Sequence, residues 1–481
     1  DHVTLTDNSA NADSLGNYGS GGGIENDGSL TVTYSRFTNN LASGGEYAAP
    51  ITGPITEGSA GGAIDSQGPS LTVANCAFTN NQAVGPGPSI SGPLGTGEGN
   101  GGAINNSSPA TISNSTFDGN LALGRLANGG AISTGENEIT NPATLPMAIS
   151  NCTFTGNQAV GGNDANNSTE FFGGQALGGA IANAAPLTIA SSTFTDNLAK
   201  GGDGGDNRVV GLNTEPVVGA VYGGAVVDAF FGSLTVSNTS FIGNQAIGGS
   251  SAQGAGGPAI GGGLAAEILT LVNLTHVTFV GNQAIGGSGG PGYTGGSGFG
   301  GGFYNGVDAT ATVLHALVLD NQAEGGAGGP GATGGVGAGG AMANGGGAGA
   351  FEVAFLYSLG STGPWGLNPD MDTSSLSVDD SQLLLNAAQG GAGVALANGG
   401  DGLGGGAYVL GTTTASIDTT WIVANAALGG SALTGGARGE GVGGGLYVET
   451  GAGVTFDTST NVVFNFASTD DDNIFGSYTI S

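Results

Sequence analysis

Basic residues are nearly absent from this sequence: five Lys and Arg stand against 36 Asp and Glu, a formal net charge of −31. So few cations cannot neutralise a phosphate backbone, which excludes nucleic acid as a partner. An acidic surface also repels other anionic partners. Long hydrophobic runs are missing too, so no membrane-spanning helix is expected. Charged residues make up 9% of the chain, against about 25% in ordinary globular domains. Two cysteines are too few for a disulfide framework. The absence of a strict Gly-x-y triplet excludes collagen. The chain starts at Asp1 with neither Met nor a signal peptide, as expected of a processed chain or a fragment, and this is a weak pointer to export.

What the sequence has in excess is glycine, 103 residues of 481, together with 38% hydrophobic residues. That hydrophobic content is too high for a disordered low-complexity chain, and so glycine-rich a chain needs a period to fold. The period is visible. Phe-x-x-Asn recurs at Phe37/Asn40, Phe78/Asn81, Phe117/Asn120, Phe154/Asn157, Phe194/Asn197, Phe241/Asn244 and Phe279/Asn282. Aliphatic residues replace Phe at Val318/Asn321, Leu383/Asn386, Ile422/Asn425 and Val462/Asn465, and an early copy stands at Leu5/Asn8. These twelve copies give a mean period of about 41 residues, within the solenoid range. Gly-Gly-x followed by an aliphatic or aromatic residue accompanies them, ending at Ile24, Ile64, Ile104, Ile132, Ile181, Val226, Leu264, Phe303, Met342, Tyr408 and Leu446.

Each unit holds three short β-prone pieces and no stretch long enough for an amphipathic helix. The expected fold is therefore all-β: a parallel β-helix of about twelve turns, one domain over 1–481, with equivalent residues stacked about 4.8 Å apart. The Phe column is expected to fill the interior. The Asn column (Asn40, Asn81, Asn120, Asn157, Asn197, Asn244, Asn282, Asn321, Asn386, Asn425, Asn465) is expected to bond along a corner as amides do in cross-β stacks. The segments Asn282–Gly300 and Asn321–Gly339 match in length and in Gly-Gly-x-Gly-Gly-Pro-Gly text. They are expected to stack as a glycine-rich fin along one corner, against the alternative of independent flexible loops. Residues 345–382 read as an irregular insertion and 468–481 as a C-terminal edge segment.

The pairing of Gly-Gly-Ala-Ile with Phe-x-x-Asn resembles the repeats of the polymorphic outer-membrane proteins and of secreted bacterial right-handed parallel β-helix proteins. The resemblance covers nearly the whole chain and implies a right-handed coil in an extracellular or cell-surface setting. It implies little about activity, because that superfamily spans adhesins, autotransported passengers and polysaccharide lyases. The C-terminal membrane barrel of the polymorphic proteins is not seen here.

Chemistry-bearing residues are scarce. Cys76 and Cys152 share a register two turns apart, about 9.6 Å between equivalent positions, too far for a bridge. His276 and His315 fall on adjacent rungs in a place held by Asn75, Asn114, Asn151 and Asn238 elsewhere, so a polar ladder is the expectation and a metal site the weaker reading. Asp370 and Asp372, with Trp365 as a stacking platform, form the candidate sugar or ion site, and Asp379 and Asp380 complete the carboxylates open to glycoside chemistry. No catalytic cluster, metal site or cofactor is expected. Ca²⁺ is the weak alternative, on the half-motif Gly201–Asp206 and on Asp470, Asp471 and Asp472.

The chain enters on Val3 and Leu5 and leaves on a strand carrying Ile474, Phe475, Tyr478 and Ile480. Those two edges read as complementary halves of a turn, so head-to-tail self-association is expected, against the alternative of a fragment or of short edges blunted by Asp1, His2 and the three Asp residues. The expected function is accordingly structural: an extracellular or cell-surface protein, the protomer of a self-assembling β-helix filament, and not an enzyme. A monomeric adhesin or carbohydrate-binding stalk that meets surface glycans is the alternative, and a polysaccharide lyase or hydrolase ranks below both.

Overall fold

The computed structural model describes residues 1–12, 18–44, 55–85, 95–134, 145–163, 174–204, 219–229, 232–345, 372–433 and 435–481. These coil as a right-handed parallel β-helix of five sheets, four with twelve strands and one with eleven. One turn shows the order. Ile132–Thr134 lies in the isoleucine sheet, Met147–Ser150 in the hydroxyl sheet and Thr153–Thr155 in the phenylalanine sheet; Gln158–Gly161 lies in the alanine sheet and Gln175–Leu177 in the short sheet. Every pairing is parallel and joins one turn to the next, as at Phe117↔Phe154↔Phe194. Among the described residues no helix is long and apolar enough to cross a membrane.

Five sheets replace the three strands per turn expected from the sequence. The alanine sheet was hidden because its strands expose two residues and bury one Ala, for example Ala83, Ala122 and Ala159. The short sheet was hidden because several of its strands are pairs such as Gly298–Phe299 and Gly337–Ala338. The two sheets face each other closely, and small residues such as Ala127, Ala176 and Ala259 fill the space between them.

The main core joins the phenylalanine, isoleucine and hydroxyl sheets. Phe37, Phe78, Phe117, Phe154, Phe194, Phe241 and Phe279 stack with ring centroids 4.6–5.0 Å apart, and Val318, Leu383 and Ile422 continue the column, buried. Val462 closes it, partly buried at the end. The isoleucine column departs from the sequence reading at one rung, where Ala407, not Tyr408, pairs with Met342 and Leu446. Three consecutive glycines, 404–406, left the register ambiguous. It is resolved by Gly404, whose φ of +63° repeats that of Gly443 at +65° and Gly61 at +59° at the same turn. A Cβ at Gly61 would sit 2.0 Å from the Ile64 carbonyl oxygen, so only glycine makes that turn.

The insertion is also shorter than 345–382. Ser375–Asp379 is a regular strand in register with Thr310–Leu314 and Thr414–Asp418, and Gln382–Leu384 follows in the phenylalanine sheet. The strand escaped notice because polar Ser375, Ser377 and Asp379 point outward between buried Leu376 and Val378. Residues 468–481 hold the last turn: Ile474–Phe475 pairs with Leu446–Tyr447 and Thr479–Ile480 with Thr455–Phe456.

The glycine loops form an ordered fin. Gly287 N–H donates to the Gly257 carbonyl, Gly296 to Gly287, Gly326 to Gly296, Gly335 to Gly326, Gly391 to Gly335 and Gly400 to Gly391, each at 2.8 Å. Outgoing and returning arms of successive loops thus alternate along one line of backbone hydrogen bonds. Side chains have no room there: a Cβ at Gly335 would meet the Gly296 oxygen at 1.9 Å.

Candidate functional site

The asparagine column is a closed structural network. Each Nδ2 donates to Oδ1 of the next asparagine at 2.8–3.0 Å, from Asn40 through to Asn465. The same Oδ1 accepts the backbone N–H of the preceding asparagine, and Nδ2 also donates to a carbonyl one turn back, as from Asn157 to Phe117. Asn473 caps the ladder by accepting from Asn465 at 3.1 Å. All of these donors and acceptors are spent on the fold, so the column offers nothing to a ligand.

The other sequence candidates scatter. Trp365 and Asp370 lie outside the described residues. Asp372 is buried, and its Oδ1 accepts the N–H of Ser374 at 2.9 Å and of Asp308 at 3.2 Å. Burial pushes its carboxyl above the usual range, and its place is a turn next to the hydroxyl sheet. Cys76 and Cys152 are free and buried, and desolvation pushes the Cys152 thiol up to about 11, which makes it a poor nucleophile. The His276 and His315 rings lie 4.7 Å apart, tilted by 39°, and His315 Nδ1 lies 2.9 Å from Asp380 Oδ2 at the surface. No group of three His, Cys, Asp or Glu gathers as a metal site among the described residues. At the two ends, Leu5 and Ile474 pack partly against the core, and Phe475 stacks on Tyr447 at 4.8 Å. Val3, Tyr478 and Ile480 are exposed by 45%, 46% and 66%.

A site the sequence did not single out lies on the outer face of the hydroxyl sheet. Its strands alternate buried aliphatic and outward hydroxyl residues, as in Thr310–Leu314, Ser375–Asp379 and Thr414–Asp418. Over the last five rungs the outward residues line an open groove of about 520 Å³. Its floor carries Thr312, Ser377, Ser416, Thr455 and Thr479 in one column, flanked by Thr310, Ser375 and Thr414. Tyr478 closes one end, edge-on to Phe456 at 5.2 Å.

Carboxylates run beside it. Asp379 pairs in register with Asp418, and Asp457 follows Phe456, the partner of Ile417. The Ser416 hydroxyl donates to Asp418 at 3.0 Å. Asp457 accepts the Thr460 hydroxyl at 2.6 Å and the Thr419 N–H at 3.0 Å; these bonds hold its carboxyl down at about 2. The groove thus presents rows of small donors and acceptors at the rung period, an edge of acceptors and an aromatic end. The signal for it was Ser-Leu-Thr-Val in the repeat, whose outward half carries no chemistry that stands out in one turn.

No family model matches the chain, and no curated protein does. Among solved structures it is similar to two crystal structures of the periplasmic alginate epimerase AlgG, one of them an aspartate-to-alanine mutant. The first gives a TM-score of 0.32 at 8% identity, covering 95% of this chain and 76% of that one. The second gives 0.30 at 7%, covering 95% and 75%. At such identity the likeness is one of fold. It nevertheless corrects the expectation that the chain is not an enzyme, since the structures it matches are those of an enzyme. The comparisons lend no support to the expected filament.

Proposed function

We propose that this β-helix is an extracytoplasmic carbohydrate-binding protein that holds an extended, uncharged glycan along the outer face of the hydroxyl sheet. The observation that carries this reading is the groove of about 520 Å³ with outward hydroxyls on its successive rungs. A linear glycan presents hydroxyls at a repeat comparable to the rung spacing, and a row of Ser and Thr in register offers both donors and acceptors to them. Tyr478 supplies an apolar face for one ring. The net charge of −31 and the Asp379/Asp418/Asp457 edge disfavour uronates and sulfated chains and leave neutral ones.

One observation favours a second reading, in which the glycan is also cleaved. Asp379 and Asp418 are carboxylates on adjacent rungs, and glycoside cleavage takes a pair of carboxylates.

Calorimetric titration with neutral β-linked hexasaccharides tests binding. At least one should bind, and Ser377→Tyr, which fills the groove from an outward position, should weaken it tenfold or more. Failure of every neutral oligomer, or equal binding by the Ser377→Tyr chain, contradicts the reading. New reducing ends in the same samples, lost on Asp418→Asn, would carry the second reading; none appearing would end it.

A further inference from the structure

One turn of the coil changes its chemistry half-way along the rod. The residue that leaves the hydroxyl sheet has a left-handed backbone on successive rungs, and over the earlier turns it is Asn75, Asn114, Asn151, Ser191 and Asn238. It then becomes His276, His315 and Asp380, with φ of 53°, 55° and 44°. The backbone holds these three on adjacent rungs: His276 N–H donates to the Leu314 carbonyl at 3.0 Å and His315 N–H to the Asp379 carbonyl at 3.2 Å. Asn and His both tolerate a left-handed conformation. The turn itself therefore gains nothing from an imidazole that an amide does not supply.

The two rings lie 4.7 Å apart and tilted by 39°, and both residues are exposed. Asp380 Oδ2 stands 2.9 Å from Nδ1 of His315. A carboxylate on one imidazole nitrogen fixes the ring and its tautomer, and it leaves the other nitrogen, Nε2, with a lone pair for a ligand; metal-bound histidines are held from behind in this way. Among the described residues no hydrogen bond or ion pair engages the ring nitrogens of His276. Two nitrogens each about 2 Å from one ion stand about 3 Å from each other. The outer torsion of histidine is broad, so a small rotation of two exposed, tilted rings reaches that spacing.

From this arrangement we infer that His276 and His315 form a two-imidazole site for a divalent transition-metal ion, Cu²⁺ before Ni²⁺ and Zn²⁺, with solvent completing its coordination. Ligand type decides the class. Imidazole suits Cu, Ni and Zn, whereas Ca²⁺ and Mg²⁺ take oxygen ligands, and Cu²⁺ leads the divalent series at a given nitrogen site. Asp380 is a positioning residue that acts through His315. The net charge of −31 raises the local concentration of any cation. Because its two ligands come from successive rungs, a bound ion clips one turn to the next and stabilises the folded rod by mass action. The site stands apart from the glycan reading and does not depend on it.

The test is a titration of the full chain with Cu²⁺ near neutral pH in a buffer that does not bind metals, read by calorimetry and by electron paramagnetic resonance. It is run on the His2→Asn chain, so that the third histidine does not contribute. One equivalent should bind, its spectrum should show two equivalent imidazole nitrogens, and the denaturation midpoint should rise. His276→Asn and His315→Asn place at this turn the residue that other rungs carry, so both should fold with an unchanged metal-free midpoint and bind Cu²⁺ at least tenfold more weakly. Asp380→Asn should weaken binding by less and keep the two-nitrogen spectrum. A hundredfold excess of Ca²⁺ or Mg²⁺ should not displace the copper. Unchanged affinity in either histidine variant, a spectrum with one imidazole nitrogen or none, or displacement by Ca²⁺ overturns the proposal.

Discussion

In the phenylalanine sheet one rung meets the next through side chains, with rings stacked at 4.6–5.0 Å and amides hydrogen-bonded between them. In the fin one arm meets the next through backbone alone, as Gly335 N–H does with the Gly326 carbonyl. Both regions repeat in step, but the first gains from buried apolar area and the second only from hydrogen bonds whose net worth is about 1 kcal/mol each. The fin also orders glycine, the residue that loses most conformational freedom. Stability therefore resides in the core, and the fin is ordered because the core holds its roots in register.

Substitutions separate the two. Phe154→Ala removes a fully buried ring from the middle of the stack and should cost about 3–5 kcal/mol, read as a fall in the denaturation midpoint of the whole rod. A smaller loss confined to one turn would mean that the turns do not unfold together.

The next effect depends on pH. Asp228 is fully buried, its Oδ1 accepts from Asn183, and desolvation raises its carboxyl to about 7. Because the folded state binds this proton more tightly than the unfolded chain, the contribution is complete below about pH 4 and is lost as pH rises through about 7. Asp228→Asn should leave stability unchanged near pH 4 and raise it by about 2–4 kcal/mol at pH 8. Parallel pH profiles for the two proteins would show that Asp228 does not titrate there.

The smallest global effect belongs to the fin. Gly335→Ala must displace backbone, since its Cβ would fall 1.9 Å from the Gly296 oxygen. Hydrogen exchange should accelerate at Gly326, Gly335 and Gly391 while the rod's midpoint moves by less than about 1 kcal/mol, as expected of a local opening. A midpoint that falls as far as in Phe154→Ala would erase the distinction between core and fin.

The same contrast explains what could be read in advance. Phe154 and Asn157 were legible because each turn repeats one large apolar residue and one amide at fixed spacing, and burial leaves no freedom to vary them. The short sheet was not, since Gly298–Phe299 and Gly337–Ala338 take their conformation from the turns on either side. Tyr408 was placed one residue off because three glycines offered two registers. The groove stayed hidden for a related reason: Thr312, Ser377 and Ser416 are ordinary outward residues, and only the coil brings residues 39 to 65 positions apart into one row. Asp379, Asp380 and His315 were noted, but the contact of His315 with Asp380 and the place of Asp418 beside Asp379 were not.

A structure of the chain with a neutral hexasaccharide that binds it tests the central claim most directly. The account predicts the glycan along the rod over the Thr312, Ser377, Ser416 and Thr455 rungs, its hydroxyls on those side chains and on Asp418, and a ring against Tyr478. A glycan seated on another sheet, or across the fin, would contradict it.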